Sequence, residues 1–145
     1  MANVVFIRIA QKEDLPTLLA LSTQLGYPVL QGEFAARLDR VLSLPDHTIL
    51  VAETGGRVVG WVHGMLRYLL VEETQVFIGG LVVNEAHRNQ RIGEKLMAAI
   101  EEWGRGLGAG EVCVYSNVIR ERAHKFYERI GYESLKTSKV FKKKI

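Results

Sequence analysis

Apolar positions recur at the strand period in some segments of this chain and at the helix period in others, and this pattern predicts its elements. The run from Val4 to Ile9 predicts a first strand. A helix follows, starting between Gln11 and Leu15 and ending at Gly26-Tyr27-Pro28, because glycine and proline favour helix ends. A second helix stops before Pro45. The apolar positions of this second helix are Phe34, Leu38, Val41 and Leu42.

The middle of the chain has the pattern of strands. Thr48 to Glu53 and Val58 to Arg67 predict two strands joined by the hairpin turn Thr54-Gly55-Gly56-Arg57. A third strand runs from about Thr74 to Val83 and contains Gly79-Gly80. Paired glycines inside a strand indicate a β-bulge or a close backbone approach.

The last third of the chain alternates between helix and strand. It predicts a helix from Ile92 to about Trp103, a strand from Glu111 to Ser116, a helix from Arg120 to Ile130 and a final strand from Tyr132 to Lys142. The inward face of the first of these helices is expected to carry Ile92, Leu96, Ala99, Ile100 and Trp103. The order β-α-α-β-β-β-α-β-α-β predicts an α/β (α+β) fold, with a mixed, mostly antiparallel central sheet and helices on both faces. No repeat or linker interrupts it, so a single domain over residues 1–145 is expected.

Composition narrows the class of protein. Hydrophobic residues make up 48% of the 145 residues and charged residues 24%, as in globular proteins with a real core. No apolar run approaches the ~20 residues of a membrane span. The start, MANVVFIRIA, lacks the basic region and cleavage site of a signal peptide. Cys113 is the only cysteine, so an internal disulfide is excluded, and a cytoplasmic location is expected.

The small positive net charge of +3 comes largely from the end of the chain. A lysine-rich end of this kind more often makes an edge strand soluble than binds nucleic acid. Nucleic-acid binding is therefore not expected, although a module relying on the basic tail remains a third alternative. The lysines concerned are Lys136, Lys139, Lys142, Lys143 and Lys144.

A basic turn between a strand and a helix is the first candidate site. Leu81 to Leu96 reads LVVNEAHRNQRIGEKL, with an apolar strand before the turn and an amphipathic helix after it. The first N–H groups of a helix have no intrahelical acceptor, and the helix dipole adds partial positive charge there. Arg88 and Arg91 could each form paired hydrogen bonds with phosphate oxygens. The pattern indicates a polyphosphate site, and an ordinary connection with a solvated basic turn remains the alternative.

The segments RNQRIGEKL and RERAHKFYERIGY, in this order and on these elements, resemble the GNAT superfamily of acetyl-coenzyme A-dependent N-acetyltransferases. The resemblance covers essentially the whole chain. It implies acetyl-CoA as co-substrate and a small-molecule or peptide amine as acceptor, with no metal. The spacing of histidine, cysteine and acidic residues also predicts no metal site.

The resemblance places the coenzyme on the first segment. The strand residues Leu81, Val82 and Val83 would meet pantetheine. The turn departs from the family, because Asn89 and Arg91 stand where glycine is usual. Asparagine tolerates left-handed geometry, and Arg91 can donate its N–H if its φ is negative. The residues expected to surround the pyrophosphate are Arg88, Asn89, Gln90, Arg91, Ile92, Gly93 and Glu94.

The second segment carries the candidate acid. Tyr127 matches the family tyrosine, and its phenol could donate a proton to the departing thiolate because the two groups have similar ordinary pKa values. A core aromatic beside Phe126 is the alternative. Arg120 occupies the usual asparagine position, and Asn117 could serve in its place. The coenzyme contacts expected from this segment are Asn117, Arg120, Ala123 and Phe126.

The general base is less well defined by sequence. The family often has glutamate where this chain has Val76, Phe77 and Ile78, so Glu73 is the candidate base, with Glu72 beside it. Solvated loop charges are the alternative for both. The histidines His63, His87 and His124 are weaker candidates, since a lone histidine is more often structural.

The acceptor side is indicated only by the resemblance. In this family the loop after the first helix and the second helix lie over the acceptor site. The pocket candidates are Tyr27, Phe34, Trp61 and Tyr68. Loss of two motif glycines and of the strand glutamate leaves a second function open, a coenzyme A-binding regulator or degenerate member without catalysis. A homodimer is one open assembly state.

Overall fold

Five strands form one sheet in the computed structural model, which describes residues 4–26 and 29–145. Their order across the sheet is β1-β2-β3-β4-β5. The first four pair antiparallel, and β5 runs parallel to β4. This confirms the prediction of a mixed, mostly antiparallel sheet. The strands are Val5–Ile9 (β1), His47–Thr54 (β2), Arg57–Arg67 (β3), Gln75–Val83 (β4) and Glu111–Val114 (β5).

Four α-helices lie at the positions that the apolar spacing predicts. Asp14 accepts hydrogen bonds from the Arg8 guanidinium and from the N–H of Gln11, and the first helix begins immediately after it. Gly26, in the predicted terminating motif, has a φ of 85°, whereas Tyr27 and Pro28 lie outside the described residues. Within the described residues, every helix is too short or too polar to span a membrane. The helices are Leu15–Ser22 (α1), Gln31–Leu42 (α2), Ile92–Gly106 (α3) and Glu121–Arg129 (α4).

Strand alternation divides the core of the sheet into two layers. On one face, Ile49 and Val51 of β2 pack with Leu18 of α1 and Leu38 of α2. On the other face, Ile100 of α3 lies against β3. Helices therefore cover both faces, as predicted. Ala99 and Trp103 are only half-buried. The fully buried positions of α3 are Ile92, Leu96, Met97, Ile100 and Gly104.

Two glycine pairs shape the sheet. Gly55 and Gly56 have φ values of 57° and 76°, which the two central residues of a type I′ hairpin turn require. In the β3–β4 pairing, His63 faces Gly80 and the next residue of β3 faces Ile78, so Gly79 has no partner. The predicted bulge is confirmed at Gly79.

The chain divides into two compact units, Met1–Val114 and Tyr115–Ile145. In the second unit, α4 is followed by Gly131, whose φ of 103° ends the helix. The predicted final strand, Tyr132 to Lys142, is wrong, because no residue described after α4 is in a strand. A strand needs a paired backbone, and α4 is the only regular element described in this unit. The single domain over residues 1–145 stays a prediction.

Candidate active site

Strand β4 has an open edge over its second half. Its pairing with β5 covers Gln75–Ile78 and stops there, because β5 ends at Val114. Among the described residues, no strand pairs with 79–83 on that side. Such an edge offers backbone N–H and C=O groups to an extended ligand. The predicted pantetheine residues Leu81, Val82 and Val83 all lie on this edge.

The turn after β4 has left-handed backbone at the two positions, Asn89 and Arg91, where the family usually has glycine. Asn84 accepts a hydrogen bond from the N–H of Ala86 at 3.0 Å and so fixes the start of the turn. Asn89 and Arg91 have φ values of 69° and 59°, the only positive values among the described non-glycine residues. The negative φ that the sequence analysis set as a condition for Arg91 to donate its N–H is therefore not found. Both residues adopt left-handed geometry, which asparagine tolerates and which costs a residue such as arginine roughly 1–2 kcal/mol.

The N-terminus of α3 presents free donors beside this turn. The N–H of Lys95 makes the first bond of the helix, to the carbonyl of Arg91 at 3.1 Å. The N–H groups of the three preceding residues, Ile92, Gly93 and Glu94, therefore have no intrahelical acceptor. Arg91 is exposed, with no ion pair in the described part of the chain, and Arg88 lies 3.6 Å from Glu85. These donors and charges fit a polyphosphate.

A cavity of about 350 Å³ opens on the face of the sheet opposite to α3, between α1, α2 and the sheet. Its polar lining consists of Ser22, Arg37 and His63, and its described lining contains no carboxylate. Phe34 and Trp61 line it as predicted for a pocket, whereas Tyr68 is exposed after β3 and Tyr27 is outside the described residues. The apolar lining residues are Leu18, Leu25, Val29, Phe34, Leu38, Val41, Ile49 and Trp61.

The cavity reaches the bulge of β4 through two side chains. A Cβ added at Gly79 would lie 2.7 Å from Nδ1 of His63, and one at Gly80 would lie 2.7 Å from the ring of Trp61. His63 Nε2 lies 3.0 Å from Nδ1 of His47 on β2, at hydrogen-bonding distance. Burial, and secondarily the nearby His47, lowers the pKa of His63 from 6.5 to about 4. His63 is thus neutral at physiological pH.

The second unit carries the predicted acid on α4. The ring of Tyr127 contacts Phe126 edge-on, with centroids 5.1 Å apart, and lies 5.9 Å from the ring of Tyr132. Burial raises the pKa of Tyr127, and the charge of Arg120 acts in the opposite direction. The phenol therefore stays protonated at neutral pH. Asn117 accepts the N–H of Ile119 at 3.1 Å and so shapes the turn before α4.

Comparison with known proteins identifies the fold and the chemistry together. Residues 13–132 match the Acetyltransferase (GNAT) family. The chain belongs to this family. It is 32% identical over 133 residues to an aminoalkylphosphonate N-acetyltransferase of Salmonella typhimurium, covering 88% of this chain and 84% of that protein. It is 24% identical over 131 residues to the aminoglycoside N(6')-acetyltransferase type 1 of Serratia marcescens, covering 87% and 90%.

Solved structures agree with this assignment at the level of fold. An aminoglycoside N-acetyltransferase AAC(6')-Iy in complex with CoA superposes with a TM-score of 0.91 at 19% identity, covering 100% of this chain and 98% of that one. The predicted GNAT membership and fold class are confirmed. This GNAT protein is an acetyl-CoA-dependent N-acetyltransferase, as its curated relatives are named.

The structure brings the predicted coenzyme residues in the first unit of this GNAT enzyme together and places the predicted base Glu73 away from them. The strand residues, the turn and the start of α3 form one continuous surface. Glu73 instead lies before β4, with its carboxylate against Gly110. It is about six residues from the bulge, or roughly 20 Å along an extended strand. Glu72 is equally remote and accepts a hydrogen bond from Gln75 at 3.3 Å.

Sequence reasoning missed the histidine pair. His47 shows no motif, and its partner is sixteen positions away on the next strand. A signal was present, because His63 lies in a predicted strand and His47 immediately precedes the strand predicted to pair with it. Pairing them requires the register, and the predicted strand began at Thr48, whereas β2 begins at His47.

Proposed function

We propose that this enzyme transfers an acetyl group from acetyl-CoA to the primary amine of a small molecule held in the cavity between α1, α2 and the sheet. One observation carries the proposal. The open edge of β4 begins at Gly79, and His63 of the cavity lies against that same residue. A coenzyme along the edge and an amine in the cavity would therefore meet at the bulge.

The coenzyme side is proposed to work mainly through the backbone. Acetyl-CoA supplies the activated acetyl group as a thioester. Leu81, Val82 and Val83 hold its pantetheine by strand pairing, and residues 88–94 hold its pyrophosphate through N–H groups and arginine side chains. Backbone donors on the strand edge also suit a developing negative charge on the acetyl oxygen. The proposed contacts from the second unit follow from the family resemblance and are Asn117, Arg120, Ala123 and Phe126.

Tyr127 is proposed as the general acid. Its raised pKa keeps the phenol protonated, so it retains a proton to donate to the departing sulfur. The aromatic neighbours Phe126 and Tyr132 restrict its ring. The role itself rests on the match to the family tyrosine.

The cavity lining favours one class of acceptor. Eight of its eleven residues are apolar, and Arg37 is the single formal charge among its described lining residues. A polycationic amine would meet no carboxylate there and would approach a like charge. The proposed acceptor is therefore a primary amine with a compact apolar body, of the size that a cavity of about 350 Å³ holds.

An amine panel tests this proposal. Benzylamine, 2-aminoethylphosphonate, kanamycin and a lysine peptide are each supplied with acetyl-CoA, and thiol release is measured. We expect benzylamine to have the highest kcat/KM and kanamycin the lowest. The reverse order would overturn the acceptor class. Coenzyme binding without thiol release from any amine would overturn the transfer and support a coenzyme A-binding regulator.

A further inference from the structure

We propose that His63 and His47 form a proton relay that makes the acceptor amine nucleophilic, with Nδ1 of His63 as the atom that receives the proton. This inference deepens the proposed acetyl transfer and rests on it. It supplies a base where the sequence favoured Glu73, a residue about six positions from the bulge, and named His63 only as a weaker candidate.

The two histidines are arranged in line from the bulge into β2. Nδ1 of His63 faces the backbone of Gly79, and its other ring nitrogen, Nε2, faces Nδ1 of His47 at 3.0 Å. The ring centroids are 5.2 Å apart and the rings are inclined by 26°. Since His63 also lines the cavity, one side chain joins the proposed acceptor site, the coenzyme edge and a second imidazole.

The proposed transfers between the amine, His63 and His47 conserve the number of protons. In the competent tautomer, His63 carries its proton on Nε2 and donates it to the lone pair on Nδ1 of His47. The ammonium form of the acceptor then gives a proton to Nδ1 of His63, while the Nε2 proton of His63 moves to His47. The amine becomes neutral, His63 ends neutral with its proton on Nδ1, and His47 holds the positive charge until water removes the proton. Proton exchange with water after product release returns His63 to the Nε2–H tautomer.

The surroundings explain why a pair is needed. Burial lowers the pKa of His63 to about 4, so this imidazole holds a proton poorly by itself. Passing the second proton onward avoids a charged His63.

The described charged or titratable groups lining the same cavity are Arg37 of α2 and His63 itself, and His47 approaches from β2. Arg37 lies 3.7 Å from Glu33, which offsets its charge. The Gly79-Gly80 stretch of β4 adds no side-chain charge.

The first test measures the tautomers without any substrate. Nitrogen-15 NMR of the imidazoles is recorded from pH 8 to pH 4.5 on the whole protein. At pH 7 we expect His63 to be neutral, with the proton on Nε2 and Nδ1 unprotonated, and with the Nε2–H bonded to His47. A proton on Nδ1 of His63 at pH 7 would overturn the relay, because no atom would then be free to receive the amine proton.

The second test uses two acceptors of similar shape and different basicity. Benzylamine is an ammonium ion at pH 7, and phenylhydrazine is neutral, so only benzylamine needs a base before attack. For His63→Gln we expect kcat with benzylamine to fall by about 100-fold or more, the scale of general-base catalysis. With phenylhydrazine we expect a fall of less than about 5-fold. Equal losses on both acceptors would mean a structural role and would overturn the relay.

Combining the variants tests whether the histidines act as a unit. His47→Gln keeps a hydrogen-bonding partner for His63 but cannot accept a proton at neutral pH. We expect it to lose kcat on benzylamine with little change in KM, and we expect the double variant to be no slower than His63→Gln alone. Independent, multiplying losses would contradict a shared proton path.

Failure of the relay is distinguishable from failure of the proposed function. A wild-type protein that releases no thiol with any amine overturns acetyl transfer, and the relay with it. An active wild type whose His63→Gln variant keeps its full rate on benzylamine overturns only the relay. Acetyl-CoA binding, measured by calorimetry, is expected to stay within about 3-fold in every variant, which corresponds to ~0.6 kcal/mol.

Discussion

The turn before α3 and the cavity under α1 and α2 differ in the kind of atoms that they present. At the turn, the donors are backbone N–H groups, held by left-handed geometry at Asn89 and Arg91. At the cavity, the lining residues belong to two helices, to the segment between these helices and to two strands. A backbone site survives a change of side chain as long as φ and ψ are kept. A side-chain site changes its ligand with every substitution.

This difference fits a coenzyme that stays the same at the turn and an acceptor amine in the cavity that can differ between members of the family. The coenzyme motif has lost two family glycines, and the backbone still adopts the conformation that glycine favours. The cavity is lined by an arginine and by no described carboxylate. Its histidine, His63 of β3, lies at hydrogen-bonding distance from His47 of β2. Substitutions at the cavity and bulge should therefore alter chemistry and acceptor choice strongly, and substitutions in the turn should alter coenzyme affinity modestly.

The largest effect is expected from Tyr127→Phe, which changes neither of the two binding regions in the first unit. Loss of the phenol should lower kcat by ~10²–10⁴, the range for a general acid. Coenzyme affinity should hardly change, because the ring still packs on Phe126. Steady-state kinetics and calorimetry measure the two quantities. The control is Tyr132→Phe in the same aromatic cluster, with kcat expected within about 3-fold. An unchanged kcat for Tyr127→Phe, where chemistry limits turnover, would remove Tyr127 from the mechanism.

Gly79→Ala should disturb the meeting point of the two regions. The new Cβ would lie 2.7 Å from Nδ1 of His63 and 3.2 Å from Cε of Met65. Overpacking of this kind costs ~1–3 kcal/mol of stability. Because His63 must shift to make room, kcat/KM should also fall, by about 5–150-fold where the same free energy is lost in the transition state. The matched control is Gly32→Ala, because nothing lies within 4 Å of that added Cβ. It lies inside α2, where alanine should stabilise the fold by roughly 0.5–1 kcal/mol. Full activity of Gly79→Ala would show that His63 can move without consequence.

Acidification should destabilise the cavity side through His63. Its pKa is 6.5 when unfolded and about 4 when folded, so the unfolded state binds the proton more tightly. The free energy of unfolding should therefore fall as pH drops from 6.5 to 4, by on the order of 2 kcal/mol. Below pH 4 the folded state is protonated too, and the loss stops growing. Denaturant titrations of the wild type and His63→Gln measure it. An identical pH dependence in both proteins would contradict the lowered pKa.

The smallest effect is expected in the turn. Arg91→Gly removes a positive charge and should weaken acetyl-CoA binding by ~0.5–2 kcal/mol, with a smaller salt dependence. Relief of left-handed geometry, roughly 1–2 kcal/mol, should outweigh the flexibility cost of glycine, so the fold should not be destabilised. Asn89→Gly is the control, since it relieves the same geometry without removing a charge. Equal or tighter binding by Arg91→Gly would show that the arginine is tolerated in the turn and does not contact phosphate.

Local rules account for what could be predicted. Turn glycines and apolar periods located every strand and helix of the first unit to within a few residues, and Gly79-Gly80 located the bulge. The family motif depends on consecutive residues, so it was also readable. The predicted strand from Tyr132 was wrong because a strand forms only when another strand pairs with it. The residues of one segment do not show whether such a partner is present.

By itself, the sequence of this GNAT enzyme determined the order of the elements in its first unit, its family and the segment proposed for the coenzyme, because each of these depends on neighbours within a few positions. Only the tertiary structure decided that Arg91 is left-handed, that β4 loses its partner after Ile78, and that His63 joins His47 to Gly79. These facts depend on strand register and on where a distant strand ends. One residue of slip would turn His63 to the opposite face of the sheet.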